Sequence, residues 1–229
     1  MLTAKKSAWF ETLFSVYNRN LFQRRFQALR VSGLEHLLER DKTLPLVLYA
    51  NHSSWWDGLT AFEIGRAARL DHFLMMEEKH LRKLFLFRKL GAFSVARENP
   101  RDAVKSLNYA ANLLKEKPNR AVWIFPQGEI LPNDIRPLKF YRGLERIIEQ
   151  TGPCLAAPLA MRYEFVGDFK PSIFVIIGKP ELFNRIDSGD YNHEYYAQIL
   201  TATLDSLKSD ILAGQALNYT NLMKRDRSN

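Results

Sequence analysis

The run Asn51-His52-Ser53-Ser54-Trp55-Trp56-Asp57-Gly58 sets a histidine and a carboxylate five positions apart, just after the apolar stretch Leu46–Asn51. In one continuous helix that separation turns the two side chains about 140° away from each other, so pairing needs a turn between them. A buried strand ending at Asn51 and a helix running from about Gly58 to Arg69 supply one. Asp57 then hydrogen-bonds one ring nitrogen of His52 and fixes its tautomer, leaving the other nitrogen to take a proton from a substrate hydroxyl. The plainer alternative is that Asp57 caps the helix and His52 packs in the turn.

Two further runs carry chemistry. Phe125-Pro126-Gln127-Gly128-Glu129 follows the apolar run Ala121–Phe125. Pro126 and Gly128 shape a tight turn there, and Gly128 permits close backbone approach to a ligand. Gly91–Arg97 reads as a strand that delivers a guanidinium at its end, a group suited to bidentate phosphate capture. Pairing of Arg97 with Glu98 or Asp102 is the structural alternative. His36, His72, His80 and His193 have no ligand spacing to one another, so no metal is expected. The single Cys154 excludes an internal disulfide and a cysteine-rich zinc site, and fits a reducing compartment. The sequence has no G-x-G-x-x-G, Walker, H-E-x-x-H or G-x-S-x-G motif.

The elements that must position these residues follow from periodicity. Strand-like runs at Leu46–Asn51, His72–Met76, Ala92–Ala96, Ala121–Phe125, Leu155–Tyr163 and Ser172–Gly178 alternate with helical patterns. The helices start after the Asn99-Pro100 cap, with Val104, Leu107, Ala111 and Leu114 on one face, over Lys139–Thr151, and over Tyr195–Leu212. This alternation predicts an α/β fold, a mainly parallel central sheet flanked by helices. An N-terminal amphipathic helix over residues 8–29 precedes it, with Trp9, Phe10, Leu13, Phe14, Tyr17, Leu21, Phe22 and Phe26 on its apolar face and Asn18, Arg19, Arg24 and Arg25 elsewhere. The expected organisation is a helical segment 1–32 that associates with membrane, an α/β domain 33–215 and a basic tail 216–229.

The 229 residues carry 33 Lys and Arg against 25 Asp and Glu, a net charge of +8. Residues 1–30 hold six of the bases against Glu11 alone, and residues 79–97 hold six with no acid, so the remainder is slightly acidic. Two basic patches predict an anionic partner: nucleic acid, an anionic membrane surface or a phosphorylated substrate. Nucleic acid is disfavoured, because no recognised nucleic-acid module is present. The apolar runs are far shorter than the roughly 18 residues a membrane span needs. The first 18 residues also lack the continuous apolar core of a secretory signal. An aromatic-faced, basic helix suits the bilayer interface; packing on its own domain is the alternative.

The blocks together, in order and spacing over residues 45–160, resemble the glycerolipid acyltransferase family typified by lysophosphatidate (1-acylglycerol-3-phosphate) acyltransferases. Asn51, His52, Ser54 and Asp57 match that family's N-H-x-S-x-x-D. Gly91–Arg97 matches its G-x-x-F-I-x-R in length, with Phe93 one place early and Ser94 at the aromatic position. Phe125, Pro126 and Gly128 match F-P-E-G-T-R-S, Ala157-Pro158 resembles its V-P strand, and Lys79 matches a family lysine. Pro137–Gly143 resembles its P-F-K-x-G. The departures are Gln127 at the family's glutamate and Glu129-Ile130-Leu131 at its Thr-Arg-Ser.

The resemblance implies a 1-acylglycerol-3-phosphate O-acyltransferase-like enzyme. His52, oriented by Asp57, would be general base on a lipid hydroxyl that attacks the thioester of acyl-CoA or acyl-carrier protein, with no bound cofactor. Arg97, Gln127, Gly128, Glu129 and Lys139 are expected at the acceptor and its phosphate, with Arg97, Lys139 or Arg142 able to compensate for the missing arginine. Asn51, Ser54, Trp55, Lys79 and Pro126 are expected around the pocket, and Trp55 and Trp56 either line an acyl channel or belong to the core. The 79–90 segment is expected at membrane, at donor phosphates, or on a solvated helix face. The leading acceptor is lysophosphatidate or a related lysophospholipid. A phosphate-free lipid alcohol, such as diacylglycerol or a glycolipid, is the alternative raised by the departures, as is an inactive membrane-binding module. The expected location is the cytoplasmic face of a membrane, peripheral or monotopic. The chloramphenicol-type H-x-x-x-D motif is one residue too short to match His52 and Asp57.

Overall fold

A computed structural model describes residues 1–96, 99–183 and 192–224. Its centre is one mixed, mostly parallel sheet with helices on both faces. The strands are β1 Leu29–Ser32, β2 Leu46–Ala50, β3 Asp71–Glu77, β4 Ala92–Val95, β5 Arg120–Ile124, β6 Cys154–Glu164, β7 Ser172–Ile177, β8 Glu181–Phe183 and β9 Thr220–Asn221. Their order is β4-β3-β5-β2-β6-β7-β1-β9, with β8 added beside β6. Pairings from β4 through to β6 and between β1 and β7 are parallel; β6–β7, β6–β8 and β1–β9 are antiparallel.

The central strand β2 is buried along its whole length, as a parallel strand covered on both faces must be. Its side chains alternate. Val47 and Tyr49 join the core beneath α5 (Pro100–Glu116), α6 (Gly143–Thr151) and α7 (His193–Leu212). Leu46, Leu48 and Ala50 join the opposite core, beneath α1 (Ala8–Arg25), α2 (Leu34–Leu38) and α3 (Asp57–Ala67). The short helix α4 (Glu78–Lys83) and a 3-10 segment, Phe85–Leu90, join β3 to β4.

The N-terminal helix differs from the expected one in two ways. It ends at Arg25, and Leu29–Ser32 is a strand of the sheet instead of a last helical turn. Its aromatic residues also do not share one face. Phe14 meets Phe62 and Phe87, and Phe22 is buried against Phe26 and Trp56. Asn18, expected on the polar side, lies fully buried between them, donating to Glu63 Oε1 at 2.7 Å. Trp9, Leu13, Val16 and Tyr17 point outward instead. Burying Phe22 and Phe26 contributes about 1.5–3 kcal/mol each, enough to hold α1 on the domain.

The residues before α1 cover the edge strand β4. Ser94 N–H donates to Leu2 O at 2.8 Å, and Lys5 and Ser7 donate to the carbonyls of Arg88 and Lys89. Ser94, at the position where the family has an aromatic, is fully buried. Its hydroxyl donates to Glu78 Oε2 and its oxygen accepts the Leu2 N–H. Part of the expected basic tail carries structure: Gln215–Asn218 forms a 3-10 turn and β9 pairs with β1. The expected helix over Lys139–Thr151 starts only at Gly143, because buried Leu138 and Phe140 flank exposed Lys139 in an extended segment.

His72 on β3 is buried, with its ring against Gly65 and edge-on to Phe62. Nδ1 donates to Leu70 O at 3.3 Å, and Nε2 has no partner among the described residues. Burial, reinforced by the Lys6 charge, pushes its pKa down to about 4. Since the unfolded imidazole titrates near 6.5, the unfolded chain binds the extra proton first as pH falls. Stability should therefore be flat above about pH 6.5 and fall by up to about 3 kcal/mol between pH 6.5 and 4. Urea unfolding at pH 7.5, 6 and 5 checks this; a His72→Asn variant should lose that part of the slope, and an unchanged slope would contradict it.

Candidate active site

The site lies at the carboxyl end of β2, where the chain leaves the sheet as the loop 51–56 and re-enters as α3. Asp57 is the first residue of α3 and is fully buried. A carboxylate is favoured at a helix N-terminus, but here it does more than cap. Oδ2 accepts from Ser53 N–H at 2.7 Å and Ser54 N–H at 2.9 Å, and lies 2.7 Å from His52 Nδ1. Oδ1 accepts from the Tyr163 hydroxyl at 2.7 Å. Burial and the neighbouring Asp57 charge push the Tyr163 phenol well above its ordinary pKa, so it stays a donor.

The His52 ring is fixed on its other sides as well. It stacks on Phe125, with centroids 4.6 Å apart, and its side chain remains about a quarter exposed. Its backbone N–H donates to Gln127 Oε1 at 2.7 Å, and its carbonyl accepts from Leu131 N–H at 2.9 Å. With Nδ1–H donated to Asp57, Nε2 is the nitrogen left to exchange a proton with a ligand.

His52 lines a cavity of about 1030 Å³, at the upper end of the range for ligand sites. Most of the wall is apolar and comes from both faces of the sheet. Phe14, Leu59, Phe62, Leu74 and Phe87 lie toward α1 and α3; Met75, Val104, Leu107, Ile124 and Leu144 lie toward α5 and α6. Polar groups are fewer; beside His52 they include Glu77, Lys79, His80, Glu129, Arg142 and Arg146. Lys79 pairs with Glu77 at 2.8 Å.

The residues expected at the site separate into two groups. His52, Trp55, Lys79, Pro126, Gly128 and Glu129 line the cavity. Gly128 does so with φ +72°, a left-handed turn that glycine adopts freely. Asn51, Ser54, Gln127 and Lys139 are not in its wall. Asn51 is buried and extends the β2–β6 ladder, donating to Met161 O and accepting from Met161 N–H. Ser54 caps the turn by accepting from Trp56 N–H at 3.2 Å. Gln127 is spent on the His52 backbone, and Lys139 is exposed beside the extended segment. Trp56 belongs to the core against Phe22 and Phe26, whereas Trp55 is exposed and edge-on to His80. Arg97 lies outside the described residues.

The residues missed are Tyr163, Arg146 and the staples of the loop 129–142. Asn133 accepts from Asn51 Nδ2 at 2.7 Å, and Asp134 takes a bidentate contact from Arg162 at 3.1 and 3.2 Å. Hydrogen bonds from Arg162 and Lys208 hold the Asp134 carboxyl down to about 2. These contacts fix the rim that carries Glu129 and Ile130. The 106-residue separation of Tyr163 from Asp57 hides their contact from any local pattern.

A Tyr163→Phe substitution should cost about 1.5–3 kcal/mol of unfolding free energy, the usual worth of a hydrogen bond to a charged group. The same change made in an Asp57→Asn background should cost clearly less. Equal losses in the two backgrounds, measured by urea denaturation, would mean that the phenol does not stabilise the carboxylate.

A family model described as Acyltransferase matches residues 28–162, more than half of the chain. No curated protein matches the sequence. The matched stretch runs from β1 into β6 and contains the His52–Asp57 pair, the turn at Gly128 and most of the cavity wall. On that match, the chain belongs to the acyltransferase family, that of the glycerolipid and lysophosphatidate acyltransferases.

Proposed function

We propose that this protein is a 1-acylglycerol-3-phosphate O-acyltransferase-like enzyme that moves a fatty acyl group from a thioester, acyl-CoA or acyl-carrier protein, to a hydroxyl of a lipid acceptor. The observation that carries the reading is a single pairing: His52 Nδ1 is committed to a buried carboxylate while the ring lines a large apolar cavity. His52 Nε2 takes the acceptor's hydroxyl proton as the oxygen attacks the thioester carbonyl. The C–S bond then breaks and the proton passes to the departing thiolate. Asp57 keeps Nδ1–H oriented and offsets the charge that forms on the ring. The Ser53 and Ser54 amides are occupied by Asp57, so oxyanion stabilisation falls to other donors. Cys154 takes no part: it is buried, and burial pushes its thiol up to about 12.

The acceptor in this reading is lysophosphatidate or a related lysophospholipid. Ile130 stands where the family has arginine, but Arg142 and Arg146 line the cavity one helical turn apart and have no ionic partner among the described residues. Glu129 in the same wall favours the second reading, a phosphate-free lipid alcohol. Substrates of either kind reside in membranes. No described helix is long and apolar enough to cross one. The proposed site of action is a bilayer face, on the cytoplasmic side, reached through the outward stripe Trp9, Leu13, Val16 and Tyr17.

The test is transfer of labelled acyl-CoA to lysophosphatidate, other lysophospholipids, diacylglycerol and a glycolipid. His52→Ala should lower every transfer by at least about 10³-fold while the circular dichroism spectrum is kept. Arg142→Ala/Arg146→Ala should weaken only phosphorylated acceptors. Substantial turnover by His52→Ala would sink the mechanism, and exclusive use of phosphate-free acceptors would replace the substrate.

A further inference from the structure

The turn between β6 and β7 exposes two phenylalanines on a well-anchored support. Phe169 is 102% exposed and Phe165 is 70% exposed. Between them Val166 packs back against the core, and Gly167 bends the chain with φ +84°. The other limb of the turn is tied to α1: Lys170 Nζ donates to Gln23 O at 2.8 Å, and Gln27 N–H donates to Pro171 O at 3.0 Å. The rings are thus held outward by a fixed backbone. In register, β6 runs parallel to β2 and passes its end, with Ala50 opposite Leu159. The turn therefore projects from the same end of the sheet as His52.

We propose that this hairpin tip is a second membrane contact, which inserts Phe165 and Phe169 into the interface of an anionic bilayer and, with α1, sets the orientation of the catalytic end. The inference rests on the reading that the enzyme works at a lipid surface. Three observations favour a bilayer over a protein partner. The tip is a convex turn whose two rings offer about 150–250 Å² each, far below the roughly 800 Å² per partner of a stable protein interface. It is continuous through Gln23 and Gln27 with α1, whose outward face already shows Trp9, Leu13, Val16 and Tyr17. The exposed Arg24 and Arg25 follow directly on the Gln23 that accepts from the half-buried Lys170, and Asp168 is the acid at the tip itself. Aromatic rings flanked by cations match the headgroup zone of an anionic leaflet.

The experiment uses the full chain and vesicles of phosphatidylcholine with and without phosphatidylglycerol. A Phe169→Cys variant labelled with an environment-sensitive fluorophore reports the tip alone, because the native Cys154 is buried. The label should shift to the blue on phosphatidylglycerol vesicles. Phe165→Ser/Phe169→Ser should lower vesicle partitioning by at least about tenfold, from the loss of two ring insertions, and leave transfer to a soluble short-chain acceptor unchanged. If the unaltered protein binds vesicles but the label stays aqueous and the double-serine variant binds equally, the hairpin proposal falls and the membrane reading stands. If the unaltered protein does not bind vesicles, the membrane reading itself fails.

Discussion

A carboxylate sealed from water is costly unless every oxygen is satisfied, and Asp57 is fully buried. Its four partners come from three directions: the ring of His52, the amides of Ser53 and Ser54, and the phenol of Tyr163. Meeting that demand determines the local structure. The loop 51–56 must fold tightly enough to aim two successive amides at one oxygen. The helix α3 must begin at Asp57. The strand β6 must be long enough, and in the right register, to bring Tyr163 across. The imidazole is then held with Nδ1 as donor and Nε2 toward the cavity.

The sheet makes this arrangement possible because β2 ends earlier than β6. β6 pairs in parallel with β2 through Leu159 and continues to Glu164, where it pairs with β7. The overhang carries Met161, which receives Asn51, together with Arg162 and Tyr163. Arg162 reaches Asp134 and so pins the loop that follows Gly128. One strand extension therefore supports the carboxylate, closes the end of β2 and fixes the rim of the cavity. The same extension leads into the exposed hairpin tip.

Much of this is legible in the sequence where the pattern is local. His52, Asp57 and Gly128 stand at the junctions of short apolar runs with turns, and the Asn99-Pro100 cap marks the start of α5 to the residue. What escapes depends on partners distant in the chain. A helical wheel shows that α1 is aromatic, but which ring faces inward is decided by Phe62, Phe87 and Trp56 and by the Asn18–Glu63 pair. Gln127 reads as an acceptor-site residue by position, yet its amide oxygen is taken by the His52 backbone. Lys139 reads as the start of a helix because its charge hides an extended alternation of Leu138 and Phe140. The short strands β1, β8 and β9 lack enough residues to show a period, and only pairing defines them.

If His52 and Asp57 act as one unit in acyl transfer, the carboxylate works through the imidazole. A double-mutant cycle on acyl transfer measures this directly, with His52→Ala, Asp57→Asn and the double variant compared at saturating substrates. Coupling of the two means that each single change lowers kcat by a large factor and that the double variant is no slower than His52→Ala alone. Multiplicative losses, or an Asp57→Asn enzyme that turns over at the unaltered rate, would contradict it.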